Sequence, residues 1–181
     1  MAREKYQWRP YAQGTRLMRE FLLRMLQPGD LLIYSGTGWI SRLIKFKTSS
    51  EWTHAAVYIG GGMVREFREN HGPQEVPFET KNLGEIRRPR CAWDREKSDL
   101  LWKEVKEWEY DYWGLIRSFY GRKQNVVNRK MWCSEYAAAD CFHATGCRPV
   151  SEETPFDAIA PKDLSQSLAY ETKWMAKDGH L

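Results

Sequence analysis

No stretch of the chain approaches the ~20 consecutive apolar residues that a membrane-spanning helix needs. The opening "MAREKYQWRPYAQG" carries charge where a signal peptide needs an unbroken apolar core. The expectation is a cytoplasmic protein without a membrane span, whose working chain is residues 1–181. Cysteine is scarce and unevenly placed, at 91, 133, 141 and 147, with no Cys-x-x-Cys pair. That spacing argues against a zinc ribbon and against a disulfide framework, and it predicts reduced thiols. Neither sign of charge dominates: the net charge is +4, with acids and bases interleaved except in the short "RRPR" at 87–90. A nucleic-acid partner is therefore not expected. The Gly36-Thr37-Gly38 triplet lacks the Gly-Lys-Ser/Thr ending of a phosphate loop and reads as a strand-to-helix turn. With no internal repeat and no evident linker, 181 residues make one globular domain, with an N-terminal helical extension over 1–27 and a core over about 28–175.

What the chain has in quantity is aromatic surface, with nine Trp, nine Tyr and seven Phe. Such a content implies a dense core, and it leaves aromatics available to line a groove. Residues 15–26 place Leu17, Phe21, Leu22 and Met25 on one helical stripe, stopped by "QPGD". A basic amphipathic helix of this kind packs onto its own domain more often than onto a membrane. "DLLIYSG" reads as a buried strand, and "GTGWISRLIKFK" as a helix with Trp39, Leu43, Ile44 and Phe46 at helical spacing. "THAAVYIGGGMVREFRE" is a hairpin, because two β-prone runs flank three glycines. If Ile59 pairs with Met63, then His54, Ala56 and Tyr58 share a face with Val64, Glu66 and Arg68. Glu66 then lies diagonal to His54, within reach of its imidazole. A loop rich in Pro, Asn and Gly follows, then a strand at "EIRRP". A helix over "DREKSDLLWKEVKEWEY" has Leu101, Val105 and Trp108 on one side, and an alanine-rich helix begins at Cys133 and ends at "TGCRP". A last strand falls near "LAYETKW".

Cys133 is the residue to which chemistry can be attached. An unperturbed thiol is only a few per cent thiolate near pH 7, and two environments correct this: a helix N-terminus and a neighbouring imidazole. "NRKMW" ahead of Cys133 and "CSEYAAAD" after it put its sulfur in a first helical turn, where Glu135 suits the helix dipole. A free cysteine taken alone is more often a core residue, which is the reading for Cys91, Cys141 and Cys147. A histidine opening a strand, a carboxylate in phase on the returning strand and a thiol opening a later helix together shift the balance toward catalysis. His143 is about 15 Å along the helix from Cys133 and is too far to serve it. His71 is a minor alternative base, and His180 lies in the tail. No metal site and no cofactor are expected. Trp52, Tyr112, Trp113 and Trp132 read either as core packing or as the wall of a substrate groove beside Cys133.

"PGDLLIYSG", "TSSEWTHAAVYIGGG", "YDYWG", "MWCSEYAAADCF" and "TPFDAIAPKDL" occur in an order that resembles the permuted papain-like cysteine hydrolases of the NlpC/P60 superfamily, in particular the YiiX-like group. The resemblance covers roughly residues 28–165. It implies an α+β fold, circularly permuted and papain-like, with an antiparallel sheet packed on helices and the histidine ahead of the cysteine. It also implies Cys133 as nucleophile, His54 as general base and then acid, and Glu66 as the group that orients His54. Three functions remain open on this reading. They are a cysteine hydrolase of amide bonds acting on peptide, cell-wall or amino-acid conjugates, a thiol-dependent lipid hydrolase or acyltransferase, and an idle binding module. The partner is accordingly a small-molecule, peptide or acyl substrate, and the sequence does not specify an oligomeric state.

Overall fold

A computed structural model of the chain describes residues 16–111 and 129–176. The elements in chain order are helix α1 (Arg16–Met25), strand β1 (Leu31–Tyr34), helix α2 (Trp39–Thr48), and strands β2 (His54–Gly60), β3 (Met63–Arg68), β4 (Gly72–Pro77) and β5 (Leu83–Pro89). Helix α3 (Arg95–Val105) and the short strands β6 (Glu109–Tyr110) and β7 (Lys130–Met131) follow. The chain continues through helix α4 (Cys133–Thr145), a 3-10 turn at Phe156–Ala158, helix α5 (Pro161–Gln166) and strand β8 (Tyr170–Met175). Six strands form one antiparallel sheet in the order β4-β3-β2-β1-β5-β8, while β6 and β7 pair in parallel apart from it. Among the described residues no helix is long and apolar enough to cross a membrane.

The central strands read as apolar runs because both faces of the sheet are covered. Ala55 and Val57 of β2 face a core that includes Phe67, Trp102, Tyr136 and Ala137, whereas Ala56 and Tyr58 face one built with Leu22 and Leu26. The alanines of α4 let it lie close on the sheet: Ala137, Ala138 and Ala144 are all buried. Asp94 starts α3 by accepting from the main-chain N–H groups of Glu96 and Lys97 at 2.9 and 3.2 Å. The hairpin turns where Gly60, Gly61 and Gly62 all have positive φ, which an L side chain would resist.

Several expectations change on contact with tertiary packing. The loop expected after β3 is strand β4, whose prolines Pro73 and Pro77 sit on the sheet's edge, where a missing N–H costs no ladder bond. On α1 the buried residue is Leu22, while Leu17 and Phe21 are exposed. On α2 the buried pair is Ile40 and Ile44, and Trp39 and Phe46 face outward. Periodicity found both helices, but the sheet beneath decided which side of each was covered.

The reduced-thiol expectation is corrected for two of the four cysteines: Cys91 and Cys147 form a disulfide across 56 residues of sequence. Spacing carried no hint of it, because the pairing is made by topology. The connection from β5 to α3 runs past the end of α4, where Asp94 N–H also donates to Ala144 O at 2.9 Å. Cys133 and Cys141 remain free and buried. The basic run at 87–90 is used internally. Arg88 donates to Asp30 at 2.7 and 2.8 Å, Arg87 to Ser167 O at 2.9 Å, and Arg90 to Leu168 O at 3.1 Å.

Candidate active site

His54 is the first residue of β2, paired with Tyr34 at the end of β1, so it stands where the sheet runs out. The hairpin register keeps Val57 opposite Arg65 and Tyr58 opposite Val64, and an irregularity is confined to the turn between Tyr58 and Gly60. Beyond it His54 and Glu66 share a face, as the alternation requires. Their side chains meet: His54 Nε2–H donates to Glu66 Oε2 at 2.5 Å. Cys133, at the start of α4, stands close enough to the imidazole that its sulfur is among the groups that act on His54. The nucleophile candidate, the imidazole and the carboxylate thus form one chain of contacts from the start of α4 through β2 to β3.

Electrostatics follow from those contacts. Removal from water pulls the pKa of an imidazole down, yet the nearby Cys133 sulfur and the hydrogen-bonded Glu66 carboxylate raise His54 to about 10. Desolvation works upward on Glu66, but His54, Arg68 and a hydrogen bond from Gln74 outweigh it and hold the carboxyl below its ordinary value. At neutral pH the pair is therefore imidazolium and carboxylate. The two arginines that flank Glu66 in sequence do not take it from His54. Arg65 points to the opposite face, onto Glu75 and Asp99 at 2.8 and 2.6 Å, and Arg68 approaches only the far oxygen, Glu66 Oε1, at 3.7 Å.

Gln74 was not anticipated. It lies opposite Glu66 in the β3–β4 ladder and donates Nε2–H to Glu66 Oε1 at 2.7 Å, leaving Oε2 for His54. The available signal was the alternation of Gln74 and Val76, hidden between two prolines. Glu135 also differs from expectation. Burial, with Asp157 and Asp111 nearby, raises its carboxyl to about 8, so it is largely neutral at pH 7 and adds little charge to the helix start. Its Oε2 instead accepts from the Trp132 main-chain N–H at 3.4 Å, a capping contact for α4. Ser134 is likewise structural, donating to Ile159 O at 2.6 Å.

A cavity of about 450 Å³ opens beside His54 and Glu66, walled by Tyr34, Ile40, Ile44, Val64 and Val76, with Arg68, Glu69, Glu79 and Lys81 also lining it. The aromatic wall envisaged from sequence is built differently. Trp132 is 2% exposed and donates to Ile159 O, and Trp52 lies over Gly84, close enough that a Cβ there would collide with its ring. Neither lines the cavity, whereas Tyr110 does. Tyr112 and Trp113 lie outside the described residues. His71 is exposed, its ring facing Glu69 O at 3.1 Å, and His143 is in the last turn of α4, away from Cys133. His180 lies outside the described residues.

No protein-family model and no curated protein matches the chain. Among solved structures, the crystal structure of the metalloprotein YiiX from Escherichia coli O157:H7, a DUF1105 protein, is similar at a TM-score of 0.61 and 14% sequence identity. The match covers 83% of this chain and 97% of YiiX. The fold is thus YiiX-like, a mixed α+β arrangement of a six-stranded antiparallel sheet and helices. Among the described residues no three His, Cys, Asp or Glu side chains are grouped to hold a metal ion.

Proposed function

We propose that the protein is a cysteine hydrolase acting on an amide bond, with Cys133 as nucleophile, His54 as proton carrier and Glu66 as the group that orients it. The observation that carries this reading is the placement of His54 between Glu66, bonded at 2.5 Å, and the nearby Cys133 at the start of α4. An imidazolium beside the sulfur, at the start of a 13-residue helix, favours the thiolate. The thiolate attacks the substrate carbonyl, forming a C–S bond, while main-chain N–H groups of the first turn of α4 face the developing oxyanion. The C–N bond breaks as His54 gives its proton to the leaving nitrogen, and the acyl group remains on Cys133 as a thioester. Neutral His54 then takes a proton from water, whose oxygen attacks the thioester carbonyl. The C–S bond breaks, the acid departs, and the thiolate–imidazolium pair is restored.

The order of the parts, histidine strand before cysteine helix, supports a permuted papain-like arrangement within the YiiX-like fold. The Cys91–Cys147 bridge supports maturation in an oxidising compartment rather than the cytosol. The apolar side of the cavity favours one second reading, cleavage or transfer of a lipid acyl group by the same thiol. Incubating the full chain with peptidoglycan fragments or with acyl lipids, quenching in acid and weighing the Cys133 peptide distinguishes them. A peptidyl adduct is the expected result, and a fatty-acyl adduct replaces the amide reading with the lipid one. Absence of both, with Cys133→Ala indistinguishable from wild type, removes the thiol mechanism.

A further inference from the structure

We propose that α2 docks the domain on an anionic lipid bilayer. Its buried residues are Ile40 and Ile44. On its other side Trp39, Arg42, Phe46 and Lys47 are exposed and Leu43 is half-buried, a spacing that makes one continuous stripe. Trp39 is 66% and Phe46 79% exposed. A single exposed apolar residue is ordinary, but two aromatic anchors with a leucine between them on one helix face mark a contact surface. No acidic residue occurs in α2. Lys45 is turned to Ser35 and Glu51 at 2.8 and 3.0 Å, so docking draws on the exposed Arg42 as the charge along the stripe. The Glu69 carboxylate lies near Gly38, at the helix start.

That composition selects the occupant. Indole and phenyl rings settle at the headgroup boundary while a guanidinium group meets lipid phosphates, so a bilayer satisfies both the apolar and the charged part of the stripe. Helix α1 shows the weaker version. Leu17 and Phe21 are exposed there too, but Arg16 is paired with Glu20 at 2.7 Å, and the acid offsets the attraction. The inner side of α2 contributes Ile40, Ser41 and Ile44 to the cavity beside His54. Docking by the outer side brings that cavity within about one helix diameter, ~10 Å, of the headgroups.

The test is co-sedimentation of the full chain carrying Cys133→Ala, which prevents turnover, with phosphatidylcholine vesicles and with vesicles that also contain phosphatidylglycerol. Binding is expected on the anionic vesicles and is weakened by added salt. Arg42→Ala should lower the partition coefficient about fivefold, and Trp39→Ala with Phe46→Ala at least about tenfold. All three positions are exposed, so an unchanged thermal midpoint verifies folding of each variant. No binding to anionic vesicles overturns the proposal, as does binding that the aromatic double variant leaves unchanged. Retention on immobilised polyglutamate without vesicle binding also overturns it, and assigns the stripe to an acidic protein. Sedimentation reads no catalysis, so its failure leaves the thiol mechanism standing, and failure of that mechanism leaves vesicle binding intact.

Discussion

Cys133 and Cys141 occupy the same helix two turns apart, both are free, and both are nearly sealed from solvent, at 2% and 4% exposure. Their surroundings differ. Cys133 opens α4 and stands beside an imidazole that is itself tied to a carboxylate. Cys141 lies within the helix, near Thr145 Oγ1 at 4.0 Å, Cys147 O at 3.7 Å and the Tyr170 hydroxyl, none of which is a base at neutral pH. Burial pushes the Cys141 thiol up, so it stays protonated and inert. Burial alone therefore does not separate a filler cysteine from a nucleophile. The separating variable is which side chains stand beside the sulfur and which end of the helix it occupies.

The largest effect that can break this contrast is chemical. At pH 6, where an ordinary thiol is almost wholly protonated, iodoacetamide should label Cys133 on the order of 10³-fold faster than Cys141. Peptide mapping of the two cysteines over time measures the ratio. His54→Ala should collapse it to within about tenfold, because the imidazolium that favours the thiolate is gone. Equal rates in the wild type would reduce Cys133 to a second core cysteine.

Next in size is the disulfide, which holds the Cys141 end of the helix and not the Cys133 end. It closes a loop of 56 residues, so Cys91→Ser with Cys147→Ser should cost about 4 kcal/mol in urea unfolding. Under native conditions labelling of Cys141 should then accelerate more than that of Cys133, since Cys147 O lies against the Cys141 sulfur. An unchanged unfolding midpoint would mean that the bridge constrains nothing the rest of the fold does not already hold.

Much of this geometry was legible in the chain, for reasons that also explain the omissions. The glycine turn and period-two alternation set His54 and Glu66 on one face, and the 2.5 Å contact follows from that register. The start of α4 was readable from the polar approach to Cys133 and the alanines beyond it. Gln74 was hidden because Pro73 and Pro77 signal a loop, and only its place at the sheet edge makes them compatible with a strand. The pairing of Cys91 with Cys147 and the outward turn of Trp39 and Phe46 depend on which elements meet in space. Local periodicity carries no information about that.

The smallest effect concerns the acid beside each cysteine. Glu135, in the first turn with Cys133, has a carboxyl raised to about 8, chiefly by burial. Asp140, next to Cys141, is also raised by burial, but it accepts hydrogen bonds from Ser98 at 2.5 Å and Trp93 at 2.9 Å. A carboxyl that titrates near 8 when folded and near 4.5 when unfolded holds its proton in the folded state across that interval. Glu135 therefore contributes stability at low pH that is lost as pH rises from about 4.5 through 8. His54, raised to about 10, similarly contributes stability that is complete below its ordinary 6.5 and is lost as pH rises through 10. Glu135→Gln removes the first dependence and leaves the second, and its amide oxygen can still accept from Trp132 N–H. The variant should thus overtake wild type as pH rises from 5 to 9, by about 2 kcal/mol at the upper end, in denaturant titrations at each pH. Asp140→Asn should have the opposite sign, because an NH₂ turned to the Trp93 indole N–H loses that bond, and one turned to Ser98 meets a hydroxyl that already accepts from Arg65. Parallel pH profiles for wild type and Glu135→Gln would show that Glu135 is solvated and charged, and that the Cys133 end of the helix carries more negative charge than its burial implies.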